Sequence, residues 1–127
     1  MKSRLRGKVL VVDDDRITLE VVRERLETAG FEVSTRDGAL GTSAAILSER
    51  PDVVLLDVDM PGLSGDAIAK LLTARSHGAS IVLHSASDLE DLRKMAAKCG
   101  AAGVIEKTDN EASFLTQFEG FFRRARA

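Results

Sequence analysis

Lys8-Val-Leu-Val-Val-Asp-Asp-Asp15 is the stretch that decides how this chain folds. An aliphatic, β-branched run that stops on three consecutive carboxylates reads as a buried strand carrying negative charge to its C-terminal mouth. The construction returns at Pro51-Asp-Val-Val-Leu-Leu-Asp57, where Val53 to Leu56 end in another acid. If the two strands are neighbours, several carboxylates meet within a few ångströms. At ~5 Å and an effective dielectric of ~20, each such pair costs roughly 3 kcal/mol. Domains are stable by only ~5–15 kcal/mol, so the repulsion calls for a counter-cation. An all-oxygen donor set suits a hard divalent ion, Mg²⁺ or Mn²⁺.

Outward from these two runs the chain alternates between two periods. Further apolar runs fall at 80–84 and 102–105, with a weaker, alternating one at Phe31 to Thr35. Helix-period segments lie between them. Ile17, Leu19, Val21, Val22, Arg25, Leu26 and Ala29 outline the first, closed by Gly30. Ala39 to Leu47 makes the second, with Asp37 as its expected N-cap. Ala67, Ile68, Leu71 and Leu72 mark a third. Leu89, Leu92, Met95 and Ala96 mark a fourth, opened by Ser87 with Glu90 as a capping box. Phe114, Leu115, Phe118, Phe121 and Phe122 mark a fifth, where Thr108 and Glu111 form the same device. Five strand–helix pairs joined by right-handed crossovers predict an α/β fold, a doubly wound five-stranded parallel sheet with helices on both faces. No internal linker, repeat or low-complexity stretch interrupts it, so residues 1–127 are expected to form a single domain.

Composition narrows the function classes. A net charge of −2 gives no reason to expect direct nucleic-acid binding or an anionic membrane surface. The basic Arg123-Arg124-Ala-Arg126 suits the C-terminal end of a helix dipole. Cys99 is the sole cysteine, which excludes an internal disulfide and a cysteine metal site and favours a reducing compartment. With no signal-like apolar stretch or membrane-length segment, a cytoplasmic location is expected.

Ligands of doubly wound sheets bind beyond the carboxyl ends of the strands. Here that edge carries Asp13-Asp14, Asp57, Ser85 and Lys107, one polar feature after each of four strands. Helix capping explains one acid of the 13–15 run well, and Asp15 is the one expected to open the first helix. Asp57 sits in Asp-Val-Asp-Met-Pro-Gly-Leu-Ser-Gly65, whose Pro61-Gly62 pair argues for a tight, specific loop. A carboxylate beside a metal can attack a phosphoryl group, because the cation screens the incoming negative charge. Ser85 alone reads as a turn residue and Lys107 alone as a solvated strand end. Beside the acids, the lysine becomes a fixed cation for a phosphoryl oxygen. Their joint order is far more specific than any single member.

With these residues in place, the chain resembles a response-regulator receiver domain of two-component signalling, of the chemotaxis-regulator-like fold, over a core of about residues 8–125. The resemblance rests on the acidic pair Asp13-Asp14, Asp57 within Asp-Val-Asp-Met-Pro-Gly, Ser85-Ala86 and Lys107. It implies strand order 2-1-3-4-5. It also implies Asp57 as phosphoacceptor, a histidine kinase or phosphotransfer protein as donor, and Mg²⁺ as cofactor. Asp14 and Asp57 would bind the ion directly, the Asp59 backbone carbonyl would add a ligand, and Asp13 would act through water. Ser85 would be the hydroxyl switch and Lys107 the family's lysine. The domain would be a phosphoacceptor, not an enzyme beyond its own dephosphorylation. Its output would be a downstream protein contact through the fourth helix, fifth strand and fifth helix, on a monomer or weak dimer.

Two positions depart from the family pattern. An aromatic is usual three residues before the lysine, where Val104 stands, and a cis-proline is usual after it, where Thr108 stands. A cis bond before a non-proline costs ~2.5–4 kcal/mol, so the Lys107–Thr108 peptide is expected to be trans. Both departures fall on the output side. Three smaller readings remain. His84 is either a pH-sensitive neighbour of Ser85 or a strand-end histidine satisfied by a hydrogen bond. Cys99 is expected to pack as a small apolar residue. Asp59 and Ser87, each two residues past a site residue, are expected to face the phosphoryl group and tune its hydrolysis.

Two other function classes compete. Asp57-Val-Asp59 superficially matches the nucleophile motif of haloacid-dehalogenase-type phosphatases, but that motif ends a first strand rather than a third. The absent aromatic and proline also fit a receiver-like interaction module independent of phosphate. The chain ends about where a receiver ends, which fits either a stand-alone receiver or a domain of a longer protein.

Overall fold

Residues 5–38, 40–60 and 78–126 are described in the computed structural model. Five strands form one sheet: β1 (Lys8–Val12), β2 (Glu32–Arg36), β3 (Val53–Asp57), β4 (Ser80–Ser85) and β5 (Gly103–Glu106). Their order is β2-β1-β3-β4-β5, and every neighbouring pair is parallel. The described helices are α1 (Arg16–Thr28), α2 (Thr42–Glu49), α3 (Leu89–Cys99) and α4 (Glu111–Ala125). The last two correspond to the fourth and fifth helical segments of the sequence. The third segment, at 67–72, and the Pro61-Gly62 loop lie outside the described residues.

Alternation along the strands divides the core in two. On one face Leu10, Val12, Val54, Leu56, Ile81 and Leu83 pack with Ala45 and Ile46 of α2 and with Leu92 and Ala96 of α3. On the other, Val9, Val11, Val53, Leu55, Val82 and Ile105 meet Leu19, Val22 and Leu26 of α1 and Phe114, Phe118 and Phe122 of α4. Helices on both faces explain why β1 and β3 are continuously apolar rather than alternating with polar residues. Phe31 ties the second layer together, standing edge-on to Phe118 and Phe122 with ring centroids 5.2 and 4.8 Å away.

Helix boundaries differ from the sequence pattern where short polar side chains compete to cap. Helix α1 opens at Asp15 as expected, its carboxylate accepting from the Ile17 amide, and Gly30 closes it with φ 100°. Its apolar face is narrower than the pattern suggests. Leu19, Val22 and Leu26 are buried, but Ile17 is 75% exposed. Helix α2 begins later than expected, at Thr42. Its N-cap is Gly41 at φ 83°, a backbone that suits glycine, so Asp37 is not the cap. Asp37 instead lies 3.9 Å from Arg16. Helix α3 is capped by Asp88 rather than Ser87, and α4 by Asn110 rather than Thr108. In both cases the residue nearer the first helical turn reaches an amide there, accepting from Asp91 and Ser113 respectively. Thr108 accepts from the Asn110 amide, so it orders the turn ahead of the true cap.

The C-terminal arginines are partnered within the fold. Arg124 stacks over Phe121, and Arg126 lies over Phe122 and 3.5 Å from Asp52. Cys99 packs against the α3 side of the core and donates to the Met95 carbonyl, as a small helix residue does. No helix among the described residues is long and apolar enough to cross a membrane.

Candidate functional site

Parallel pairing of β1, β3 and β4 brings their C-terminal ends to one edge. Val12 lies opposite Leu56, and Asp57 opposite His84. Asp13, Asp14 and Asp57 therefore converge, each bringing a carboxylate oxygen within 4.8 Å of the others. Asp13 and Asp57 are buried, whereas Asp14 is exposed at the rim. Lys107 enters from the end of β5. Its Nζ is 2.9 Å from Asp13 Oδ2 and 3.7 Å from Asp57 Oδ1. The sheet thus gathers four of the expected residues at one point.

Main-chain amides fix the acids. Asp13 Oδ1 accepts from the Asp15 amide at 2.8 Å, and Asp57 Oδ1 from the Asp59 amide at 3.0 Å. Asp13 Oδ2 is buried, and the Lys107 ammonium 2.9 Å away answers its charge. Asp15 faces away from the cluster and binds the Thr18 hydroxyl. That bond, with the Ile17 amide, holds its carboxyl below the usual range.

Burial and crowding show in the protonation equilibria. Asp57 is pushed up to about 6, first by burial and then by the Asp13 charge, against the pull of the Asp59 amide and Lys107. Burial works against the Lys107 ammonium, but Asp13 and Asp57 outweigh it and hold the amine above its ordinary value. His84 is pushed down to about 4, by burial first and then by Lys107. Its ring stands edge-on to Phe114 at 5.7 Å. Among the described residues that contact, rather than the expected hydrogen bond, accounts for its placement.

Ser85 is fully buried at the end of β4, and its carbonyl accepts from the Lys107 amide at 2.9 Å. The sequence expectation placed Asp59 and Ser87 facing the Asp57 side of the site. In the fold their side chains bind each other, and the Asp59 carboxylate also binds the Ser85 hydroxyl. The Ser85 hydroxyl donates to Asp59 Oδ2 at 2.5 Å, and the Ser87 hydroxyl to Asp59 Oδ1 at 3.1 Å. The matched spacing of two residues past Asp57 and past Ser85 was the available signal. That the two residues would meet needed the β3–β4 register. Val104 packs against the α3 side of the core, and the Lys107–Thr108 peptide is trans.

The donor set suits a hard divalent cation: among the described residues, three carboxylates converge with no nitrogen or sulfur ligand in the cluster. A doubly wound parallel sheet with an acidic cluster and a lysine at its carboxyl edge defines the class, an α/β fold with its polar site beyond the strand ends. The comparisons with known proteins make the class specific. The family model of the response regulator receiver domain matches residues 9–119. A cyclic di-GMP phosphodiesterase of Thermotoga maritima is 34% identical over 102 residues, covering 80% of this chain and 27% of that protein. The transcriptional regulatory protein PrrA of Mycobacterium bovis is 33% identical over 118 residues, covering 92% of this chain and 50% of that protein. The crystal structure of a CheY-like receiver domain protein from Methanospirillum hungatei superposes with a TM-score of 0.82 at 24% identity, covering 97% of this chain and 98% of that one. The chain belongs to the response regulator receiver domain family, a signalling domain of two-component systems. It spans half or less of the length of these two curated relatives.

Proposed function

We propose that the chain accepts a phosphoryl group on Asp57 from a histidine kinase or phosphotransfer protein, and that the acylphosphate switches a protein-binding surface. The observation that carries this reading is the burial of Asp57 beside Asp13, Asp14 and Lys107 at one sheet edge. Asp57 Oδ1 is held by the Asp59 amide, which turns the other oxygen, Oδ2, into the attacking atom. Oδ2 forms a bond to phosphorus as the phosphorus–nitrogen bond of phosphohistidine breaks, and the electron pair returns to the imidazole. Hydrolysis reverses the modification: water attacks phosphorus, the aspartyl oxygen leaves, and inorganic phosphate departs.

Asp14, Asp57 and the Asp59 carbonyl would hold Mg²⁺, with Asp13 acting through water. When bound, the ion would neutralise charge on the phosphoryl oxygens. Lys107 would bind a phosphoryl oxygen, and its placement 3.7 Å from Asp57 Oδ1 supports that role. Ser85 is the hydroxyl that turns toward the modified aspartate. The output surface is the groove between α3 and α4 over β5, about 1110 Å³, lined by Leu89, Arg93, Val104, Gln117, Phe121 and Arg124. The chain is read as one receiver domain with a core of about 8–125, a monomer or weak dimer. A kinase or phosphotransfer donor fits a cytoplasmic location for the chain.

Acetyl phosphate supplies the test. Labelling should require Mg²⁺, appear as a shifted band on phosphate-affinity gels, and vanish in Asp57→Asn. Labelling that survives the substitution, or none in the unaltered protein, would sink the reading.

A further inference from the structure

The Ser85 hydroxyl is engaged twice in the resting fold. Its oxygen accepts from the Ser87 amide at 2.9 Å, and its proton goes to Asp59 Oδ2 at 2.5 Å. The Ser87 hydroxyl holds the second Asp59 oxygen at 3.1 Å. The Asp59 amide in turn donates to Asp57 Oδ1. These bonds close a small network between the loop after β3 and the loop after β4. Asp88, the N-cap of α3, follows directly.

A hydroxyl has one proton to donate. A phosphoryl group on Asp57 offers acceptor oxygens, so Ser85 can bond to it only by withdrawing its proton from Asp59. A hydroxyl–carboxylate bond of this length is charge-assisted, about twice as strong as a neutral one. We propose that the Asp59 side chain is a positioning residue that latches the Ser85 hydroxyl in its resting orientation, with Ser87 as a second hook, and so opposes switching. The proposal rests on Asp57 as phosphoacceptor and Ser85 as the hydroxyl that answers it. Asp59 is exposed, so removing its side chain opens no core cavity. Its latch is distinct from its backbone carbonyl, which a substitution leaves in place.

Two measurements on Asp59→Ala, Asp59→Asn and Ser87→Ala test it. In metal-free protein, hydrogen exchange at the Ser87 amide should quicken about tenfold in Asp59→Ala, as expected for loss of a charged hydrogen bond, while core amides such as Leu55 stay unchanged. With saturating Mg²⁺, beryllofluoride should bind Asp59→Ala about tenfold tighter than the unaltered protein, and Ser87→Ala by a smaller factor. Asp59→Asn keeps an acceptor oxygen but loses the charge, and should fall between. The gain should persist at ~1 M salt, where the Debye length is ~3 Å. Unchanged Ser87 exchange, or a gain that disappears in salt, would overturn the latch. If the unaltered protein fails to bind beryllofluoride, the phosphoacceptor reading falls, while the exchange measurement still judges the Asp59–Ser85 tie on its own.

Discussion

Lys107 Nζ lies 2.9 Å from Asp13 Oδ2 and 3.7 Å from Asp57 Oδ1, so a single ammonium bridges the ends of β1 and β3. Among the described residues it is the cation ion-paired to the cluster of three carboxylates. Removing it leaves Asp13 buried without an answering charge. Lys107→Ala should therefore lower metal-free stability by roughly 1–3 kcal/mol, the modest end of buried-pair breakage because the lysine is partly exposed. Saturating Mg²⁺ should restore most of that loss. Urea unfolding with and without Mg²⁺ checks it, and an equal deficit in both conditions would argue against this division of labour.

Asp14 sits at the exposed rim of the same cluster, where its side chain contributes little to packing. Asp14→Asn should leave metal-free stability within ~0.5 kcal/mol of the parent. If Asp14 holds Mg²⁺ directly, the loss appears only with metal. The parent should gain ~2.7 kcal/mol at an ion concentration one hundred times its dissociation constant, and the variant less than about half of that. Thermal melts across a Mg²⁺ series measure both. An undiminished gain in Asp14→Asn would remove it from the metal site.

How much of this was legible in the sequence follows from which forces act locally. The strands at 8–12 and 53–57 were readable because burial on both faces demands continuous apolar residues, a one-dimensional signal. The acidic pair, Asp57, Ser85 and Lys107 were readable as a set because each ends a strand. The meeting of Asp59 with Ser85 and Ser87 was not, because it depends on register between β3 and β4. Ile17 misled because helical period marks a stripe but not its width. Helix starts misled for a different reason. Ser87 and Asp88, or Thr108 and Asn110, are equally able caps, and backbone geometry chooses between them.

That choice can be measured at α3. Asp88 accepts from the Asp91 amide at 3.2 Å, whereas the Ser87 hydroxyl binds Asp59. Asp88→Ala should cost about 1 kcal/mol of stability, the usual effect of losing an N-cap. Ser87→Ala should cost clearly less in the same denaturant titration. The reverse ranking would restore Ser87 as the cap that the capping-box pattern suggests.

Acid titration should reveal two groups of opposite sign at the sheet edge. His84 has its folded value pushed down to about 4 by burial, so as pH falls through 6.5 the unfolded chain takes up a proton first. Stability from the neutral imidazole is complete above pH 6.5 and is lost between there and pH 4, by roughly 3 kcal/mol at 1.36 kcal/mol per unit. Asp57 behaves in the opposite way. Its folded value is raised to about 6, so the metal-free native state takes up a proton before the unfolded chain, and stability rises as pH falls from 6 toward 4. The two slopes overlap and oppose each other in metal-free protein, leaving a shallow net dependence across that window. Asp57→Asn removes the compensating slope, so this variant should lose stability more steeply than the parent between pH 6.5 and 4. His84→Leu in the Asp57→Asn background should flatten the curve again, whatever its offset at pH 7. Chemical unfolding at half-unit pH steps gives all three curves, and an equally steep loss without His84 would assign the acid lability to other groups.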